Sequence, residues 1–263
     1  MAETKIVKNF LENAHPGEFT QCKELLESVS PSTKKVIKKN ETKLYRNWAF
    51  NNYLTVSVGT HTAILCSEAQ QSDGSFIDPV DFTSFTYDFK TKQIKETGMK
   101  PTTKSSKLRT KIQQKLKNYV ESAYHEDFAF GVFDLPDDSI VIIIVSFSVS
   151  LENYRTGSVV SRYVLSDSTL KGETKMKQHF FETGNVMCEN GAKLKDVHID
   201  EETPEDISDH VLDEIISFEE KWLENVNKAF VQVNQEALKK LRRKVTIVRE
   251  KIDWRRLLTV GVV

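Results

Sequence analysis

Cysteine is scarce in this 263-residue chain. Cys22, Cys66 and Cys188 are far apart and form no C-x-x-C pair. That argues against a disulfide framework or a cysteine zinc site and suits a reducing compartment. Long apolar runs are also missing. The longest, Ile140 to Val145, is strand-sized, well short of the roughly 18–20 residues that cross a bilayer. The opening stretch MAETKIVKNF carries acidic residues and no apolar block of a signal peptide. The expectation is a soluble protein of the cytoplasm.

Catalytic signatures are equally sparse. The six histidines, His15, His61, His125, His179, His198 and His210, show no H-E-x-x-H or other metal spacing. There is no G-x-S-x-G, no P-loop and no G-x-G-x-x-G. Asp137-Asp138 and Glu201-Glu202 abut turns or helix starts and read as solvated carboxylates. His179, within MKQHFFETG, reads as a packed or surface residue of a strand. The expectation is no catalytic residue, no metal ligand, no cofactor and no enzymatic activity. Internal repeats and low-complexity segments are absent too.

What the chain does have is an aromatic content of 10%, too high for a disordered polymer, and enough length for one large domain or two small ones. The net charge of −1 hides a segregation. Residues 238–263 hold nine basic and two acidic residues, while the remainder holds 28 basic and 36 acidic. Charge divided in this way speaks about partners.

Periodicity predicts an α+β fold. Ile6, Phe10, Leu11 and Ala14 have helical spacing, broken by His15-Pro16-Gly17. Phe19, Cys22, Leu25, Leu26 and Val29 form a second stripe. Val36, Ile37, Leu44 and Trp48 form a third, started by Ser30-Pro31. From about residue 52 the pattern changes to β-branched and aromatic alternation, in YLTVSVGTHTAILC and FTSFTYDF. Residues 91–106 are polar, with Gly98 and Pro101, and read as a linker. Leu108, Ile112, Leu116, Val120 and Tyr124 mark another helix.

Strands are expected over 127–134, 139–150, 159–166 and 174–188, with hairpin turns at Asp137-Asp138 and Thr183-Gly184. Strands in succession imply an antiparallel sheet. Thr203-Pro204-Glu205-Asp206 starts a long helix, with an N-cap hydroxyl, proline in the first turn and acids beside it. Its stripe is Ile207, Val211, Ile215, Phe218, Trp222, Ala229 and Val233. The expected organisation is a helical stalk over 1–50, a small β region and linker over 51–105, helix plus antiparallel sheet over 106–202, a long helix over 203–237 covering the sheet, and a basic amphipathic tail over 238–263.

In the tail, Leu238, Leu241, Val245, Val248 and Ile252 are spaced 3, 4, 3, 4, one apolar stripe with the basic residues mostly off it. Such a segment suits a terminal helix packed on its own domain, an acidic protein groove, an anionic lipid surface or nucleic acid. A basic-tailed binding module for lipid or nucleic acid is the alternative to a protein-binding tail. Apolar residues between the charges favour a protein groove.

The tail KKLRRKVTIVREKIDWRRLL resembles the C-terminal motif of the F-actin capping protein α subunit, approximately K-A-L-R-R-x-L-P-V-T-R-x-K-I-D/N-W. Three further stretches resemble that family in order: HPGEF (15–19) its P-P-G-E-F, FIDP (76–79) its F-L-D-P, and HFFETGNV (179–186) its H-Y-Y-E-D-G-N-V. There are departures. The family's N-F-W-N-G-R-W-R-S-x-W is here 153–163, with Asn153, Gly157 and Ser161 kept and all three tryptophans replaced. The motif's proline is Thr246. Members of the family run on past the motif with a lysine-containing tail, whereas this sequence stops at Val263, which implies a divergent or trimmed member.

The resemblance implies a subunit that pairs with a homologous β subunit. The N-terminal helices form a stalk, and the strands of both subunits join in one sheet. Such a dimer covers the barbed end of an actin filament and blocks subunit addition and loss. The implied actin-binding residues are Lys239, Arg243 and Arg249, with Arg242 and Lys251 behind them, and Trp254, Leu257 and Leu258 as an apolar foothold. Acidic phosphoinositides and myotrophin-like inhibitors are the implied competitors for that basic surface. The implied location is the cytoplasm and cytoskeleton, with no nucleic acid expected. The missing tryptophans leave a homodimer open.

Overall fold

The computed structural model describes residues 2–102, 104–124, 127–182 and 184–232. The chain divides into two compact units, Met1–Phe218 and Glu219–Val263.

The first unit opens with three helices, α1 (Ala2–Glu12), α2 (Phe19–Val29) and α3 (Pro31–Asn51). They enclose one core of Val7, Leu11, Ala14, Phe19, Ile37, Leu44, Tyr45 and Trp48. The start of α3 follows the expected chemistry: Ser30 Oγ accepts the Thr33 amide at 3.1 Å, and Pro31 fills the first turn. The buried stripe of α1 keeps the expected Leu11 and Ala14 but takes Val7 in place of Ile6 and Phe10. Val7 and Leu11 are buried, while Ile6 and Phe10 point outward at 64% and 45% exposure. In α2 likewise, Phe19 is buried but Leu25 and Val29 are 59% and 70% exposed.

Two small sheets follow. β1 (Thr55–Val58) and β2 (His61–Ile64) form a hairpin, and β3 (Phe76–Asp78), β4 (Thr83–Asp88) and β5 (Gln93–Met99) form a three-stranded antiparallel sheet. β5 corrects the linker reading of 91–106. It is polar because it pairs on one side only and is mostly exposed. Pairing, not propensity, makes it a strand.

Helix α4 (Lys107–Ala123) leads into the main sheet, β6 (Asp127–Asp134), β7 (Ile140–Ser150), β8 (Arg155–Ser166), β9 (Thr169–Phe180) and β10 (Val186–His198). All neighbours are antiparallel, in the order β10-β9-β8-β7-β6. Residues 174–188 are therefore parts of two strands. β8 and β9 both begin earlier than expected and meet at Asp167 and Ser168, which have φ values of 47° and 57°. A two-residue turn with both φ positive matches the twist of a hairpin.

The continuous apolar run of β7 is explained by two cores. Ile140, Ile142 and Ile144 face α4 and α5 (Pro204–Gln232), with Ile112, Leu116, Val211 and Ile215. Val141, Ile143 and Val145 face the small β region, with Ala63, Ile64, Phe76 and Phe85. A strand buried on both faces has no polar positions to alternate. Each such side chain contributes about 1.5–3 kcal/mol. At the start of α5, Thr203 Oγ1 accepts the Asp206 amide at 3.2 Å. Further along the helix Trp222 and Val226 are buried and Ala229 is exposed; Val233 lies outside the described residues.

Candidate functional site: an open sheet edge, a buried joint and the basic tail

All eight sequence-derived binding residues, Lys239, Arg242, Arg243, Arg249, Lys251, Trp254, Leu257 and Leu258, lie outside the described residues. What the described part positions is the body that carries them.

The main sheet has two unlike edges. β6 is packed by α4 and β2. β10 pairs with β9 on one side and with no other strand among the described residues. It is 13 residues long and exposed over most of its length. A long bare edge offers a row of unpaired amides and carbonyls to another strand. Val186 and Met187 are 61% and 60% exposed there, and Phe180, opposite Val186, is 46% exposed. The outward residues of α1 and α2, Ile6, Phe10, Leu25 and Val29, add apolar surface with the four-residue spacing of one helix face. The sequence reading assigned no strand beyond 188 and so missed this edge.

Two of the short motifs meet in space. The α1–α2 turn, His15 to Glu18, lies against β8 and β9. Glu18 Oε1 accepts from Thr156 Oγ1 at 2.5 Å and pairs with His179 Nδ1 at 2.8 Å. His15 stacks on His179, and His179 packs against Phe181. Gly17, at φ 83°, sits where a side chain would strike Val149. Burial pushes the His15 imidazole below its ordinary pKa, with Glu18 opposing and His179 and Lys177 adding to the shift. His179 is thus a packed residue, as expected from its strand position.

The third motif makes another joint. Asp78 Oδ1 accepts the Val80 amide at 3.0 Å, and its other oxygen contacts His61 Nε2. The Pro79 carbonyl accepts from Arg109, whose Nε donates to the Val132 carbonyl at 2.8 Å. Burial lowers the Arg109 pKa to about 10, opposed by Asp134 and Asp78. Ligand atoms of His61, Asp78 and Asp81 lie within 4.8 Å of one another. Both oxygens of Asp78 are already engaged, so the group works as a strut between β2 and β3.

A concavity of about 560 Å³ is lined by Asn13, Tyr53, Arg162, Glu173, Lys175 and Lys177 among others. It holds no histidine or cysteine, and its single carboxylate, Glu173, is paired with Lys175. Among the described residues, no helix is long and apolar enough to cross a membrane.

The architecture defines an α+β protein with a helical unit, an antiparallel sheet with a long exposed edge strand and a long helix. The family model of the F-actin capping protein alpha subunit matches residues 7–262, and the chain belongs to that family. It is 28% identical over 246 residues to the F-actin-capping protein subunit alpha of Yarrowia lipolytica, covering 94% of this chain and 88% of the relative. Against the Gibberella zeae subunit alpha it is 27% identical over 265 residues, covering 98% and 94%. Among solved structures, the homodimeric actin capping protein alpha subunit of Plasmodium berghei superposes with a TM-score of 0.69 at 16% identity, covering 95% of this chain and 99% of that one. That likeness shows the fold.

Proposed function

We propose that the chain is the α-type subunit of a dimeric, non-enzymatic cap on the barbed end of actin filaments, acting in the cytoskeleton. The observation that carries this reading is the family match through residue 262, which takes in the whole basic tail. The open edge of β10 and the outward apolar residues of α1 and α2 supply a surface for a second subunit, either a β-type chain or another copy.

The mechanism is physical. Lys239, Arg242, Arg243, Arg249 and Lys251 steer the dimer to an acidic protein surface, speeding association in a salt-dependent way. Trp254, Leu257 and Leu258 enter an apolar cleft and slow dissociation. Two linked footholds on one filament end hold more tightly than either alone.

Seeded actin polymerisation with the purified complex is the test. Saturating protein should stop barbed-end growth, and R243E/R249E should weaken capping by at least tenfold, about 1.4 kcal/mol. Undiminished growth at saturation, or an unchanged double variant, defeats the proposal. Tight binding to anionic vesicles without any effect on filaments would point to a lipid-binding tail.

A further inference from the structure

The cluster under the α1–α2 turn holds one carboxylate for two imidazoles. The rings of His15 and His179 stack with centroids 5.0 Å apart and planes 29° from parallel. They are 6% and 7% exposed. Glu18 serves His179 through Nδ1 and also takes the Thr156 hydroxyl. His15 Nδ1 and His179 Nε2 are buried without a hydrogen-bond partner among the described residues. The charged groups acting on His15 are Glu18 from the turn, Lys177 from β9 and Glu189 from β10. The family pattern that HPGEF resembles has proline where His15 stands, so the second ring is a feature of this chain.

We propose that this cluster is an acid-sensitive latch that seats the N-terminal helical unit on the end of the main sheet. With at most one ring protonated, Glu18 balances the charge and the stack is stable. A second proton puts two like charges face to face in a buried site, with two N–H groups that have no acceptor. Lys177 adds to the repulsion, and Glu189 offsets part of it. The sign follows from burial. A histidine whose folded pKa is depressed stabilises the fold above its ordinary value, about 6.5, and that stability is lost as pH falls below it. Release lifts the turn from Thr156 and Val149. It also disturbs the neighbouring Ala14 carbonyl, which accepts from Trp48 Nε1 at 2.8 Å.

Trp48 is therefore the reporter. The full chain, with any subunit that co-purifies, is made in a W222F/W254F background and titrated from about pH 8 to 4.5 at fixed ionic strength. Trp48 fluorescence should change cooperatively, with proton uptake at His15 and a midpoint below about 6.5. H15F keeps a stacking ring but cannot be protonated. It should lower the midpoint by about one pH unit, a tenfold rise in the proton concentration needed, or abolish that uptake. No transition above pH 4.5, or the same transition in H15F, overturns the latch. Should H15F fail to fold, histidine NMR of the unsubstituted ring decides: titration of His15 at the ordinary value, with Trp48 silent, overturns it equally. The latch does not depend on the capping proposal.

Discussion

Replacing Gly17 by alanine tests how the helical unit is seated on the sheet. Gly17 lies in the left-handed region at φ 83°, and a Cβ there would stand 2.6 Å from Val149 Cγ1 and 3.3 Å from Cγ2. Two separate costs follow. The left-handed backbone costs a non-glycine residue about 1–2 kcal/mol. The clash with a β-branched side chain, stiff about χ1, costs a further ~1–3 kcal/mol as overpacking. G17A should therefore destabilise by about 2–5 kcal/mol, a large share of the ~5–15 kcal/mol that holds a typical domain folded.

Gly59 provides the internal control. It too has positive φ, 60°, but a Cβ there meets nothing within 4 Å. G59A should cost only the backbone part, about 1–2 kcal/mol. Val149 is 45% exposed, so V149A alone should cost under about 1 kcal/mol. In G17A/V149A the clash is gone and the backbone strain stays, giving a coupling of about 1–3 kcal/mol between the two sites. Urea unfolding of all four variants measures these differences from the midpoint at unchanged slope. If G17A and G59A cost the same, or V149A rescues nothing, the turn is not held against β7 as described.

Two further expectations concern acid and assembly. Asp88 is held at about 2 by the Lys90 amide and the Lys95 ammonium, and Glu205 at about 2 by Lys111 and Lys115. Folded values below the ordinary carboxylate range mean stability present above about pH 4 and lost as pH falls from there towards 2. Melting temperature against pH should drop in that window, well below the latch, and D88N should flatten the drop; an unchanged slope refutes the assignment. On the β10 edge, M187D places a charge beside the bare strand. Light scattering should show a shift from dimer to single-subunit mass with little change in the melting of the isolated chain, whereas an intact dimer would remove β10 from the interface.

Much of the fold was legible because periodicity reports burial directly. The run Ile140–Val145 and the stripe Ile112, Leu116, Val120 announce their elements, and both lie in the core. The sequence was misleading where pairing decides. β5 and β10 are polar because they are exposed edges, so neither shows alternation. Asn190-Gly191 resembles a hairpin turn locally, yet it lies in mid-strand, opposite Met176 and Lys175. The expected stripes of α1 and α2 hold at Leu11, Ala14 and Phe19 and fail at Ile6, Phe10, Leu25 and Val29, which are as apolar as the buried residues yet exposed. Hydrophobicity alone does not tell a core face from an exposed one. Of the candidate site, the tail is read from charge and resemblance and lies outside the described residues, while the edge and the buried joint depend on residues distant in sequence.

The short motifs that carried the resemblance turn out to mark joints. Glu18 and His179 meet each other, Gly17 meets Val149, and Asp78 and Pro79 meet His61 and Arg109. A core position accepts any aliphatic of about the right volume. A buried carboxylate facing an imidazole does not, since removing one partner leaves the other uncompensated at a cost of about 3–5 kcal/mol. Identity at such positions is specified by a single partner. The replaced tryptophans obey the opposite logic. Arg155, Val159 and Tyr163 stand on one face of β8 by the two-residue period, and Tyr163 is fully buried against Gly172 and Phe218. At Tyr163 the exchange is one large aromatic for another inside a core, where volume is what counts. That position therefore bears on packing under α5.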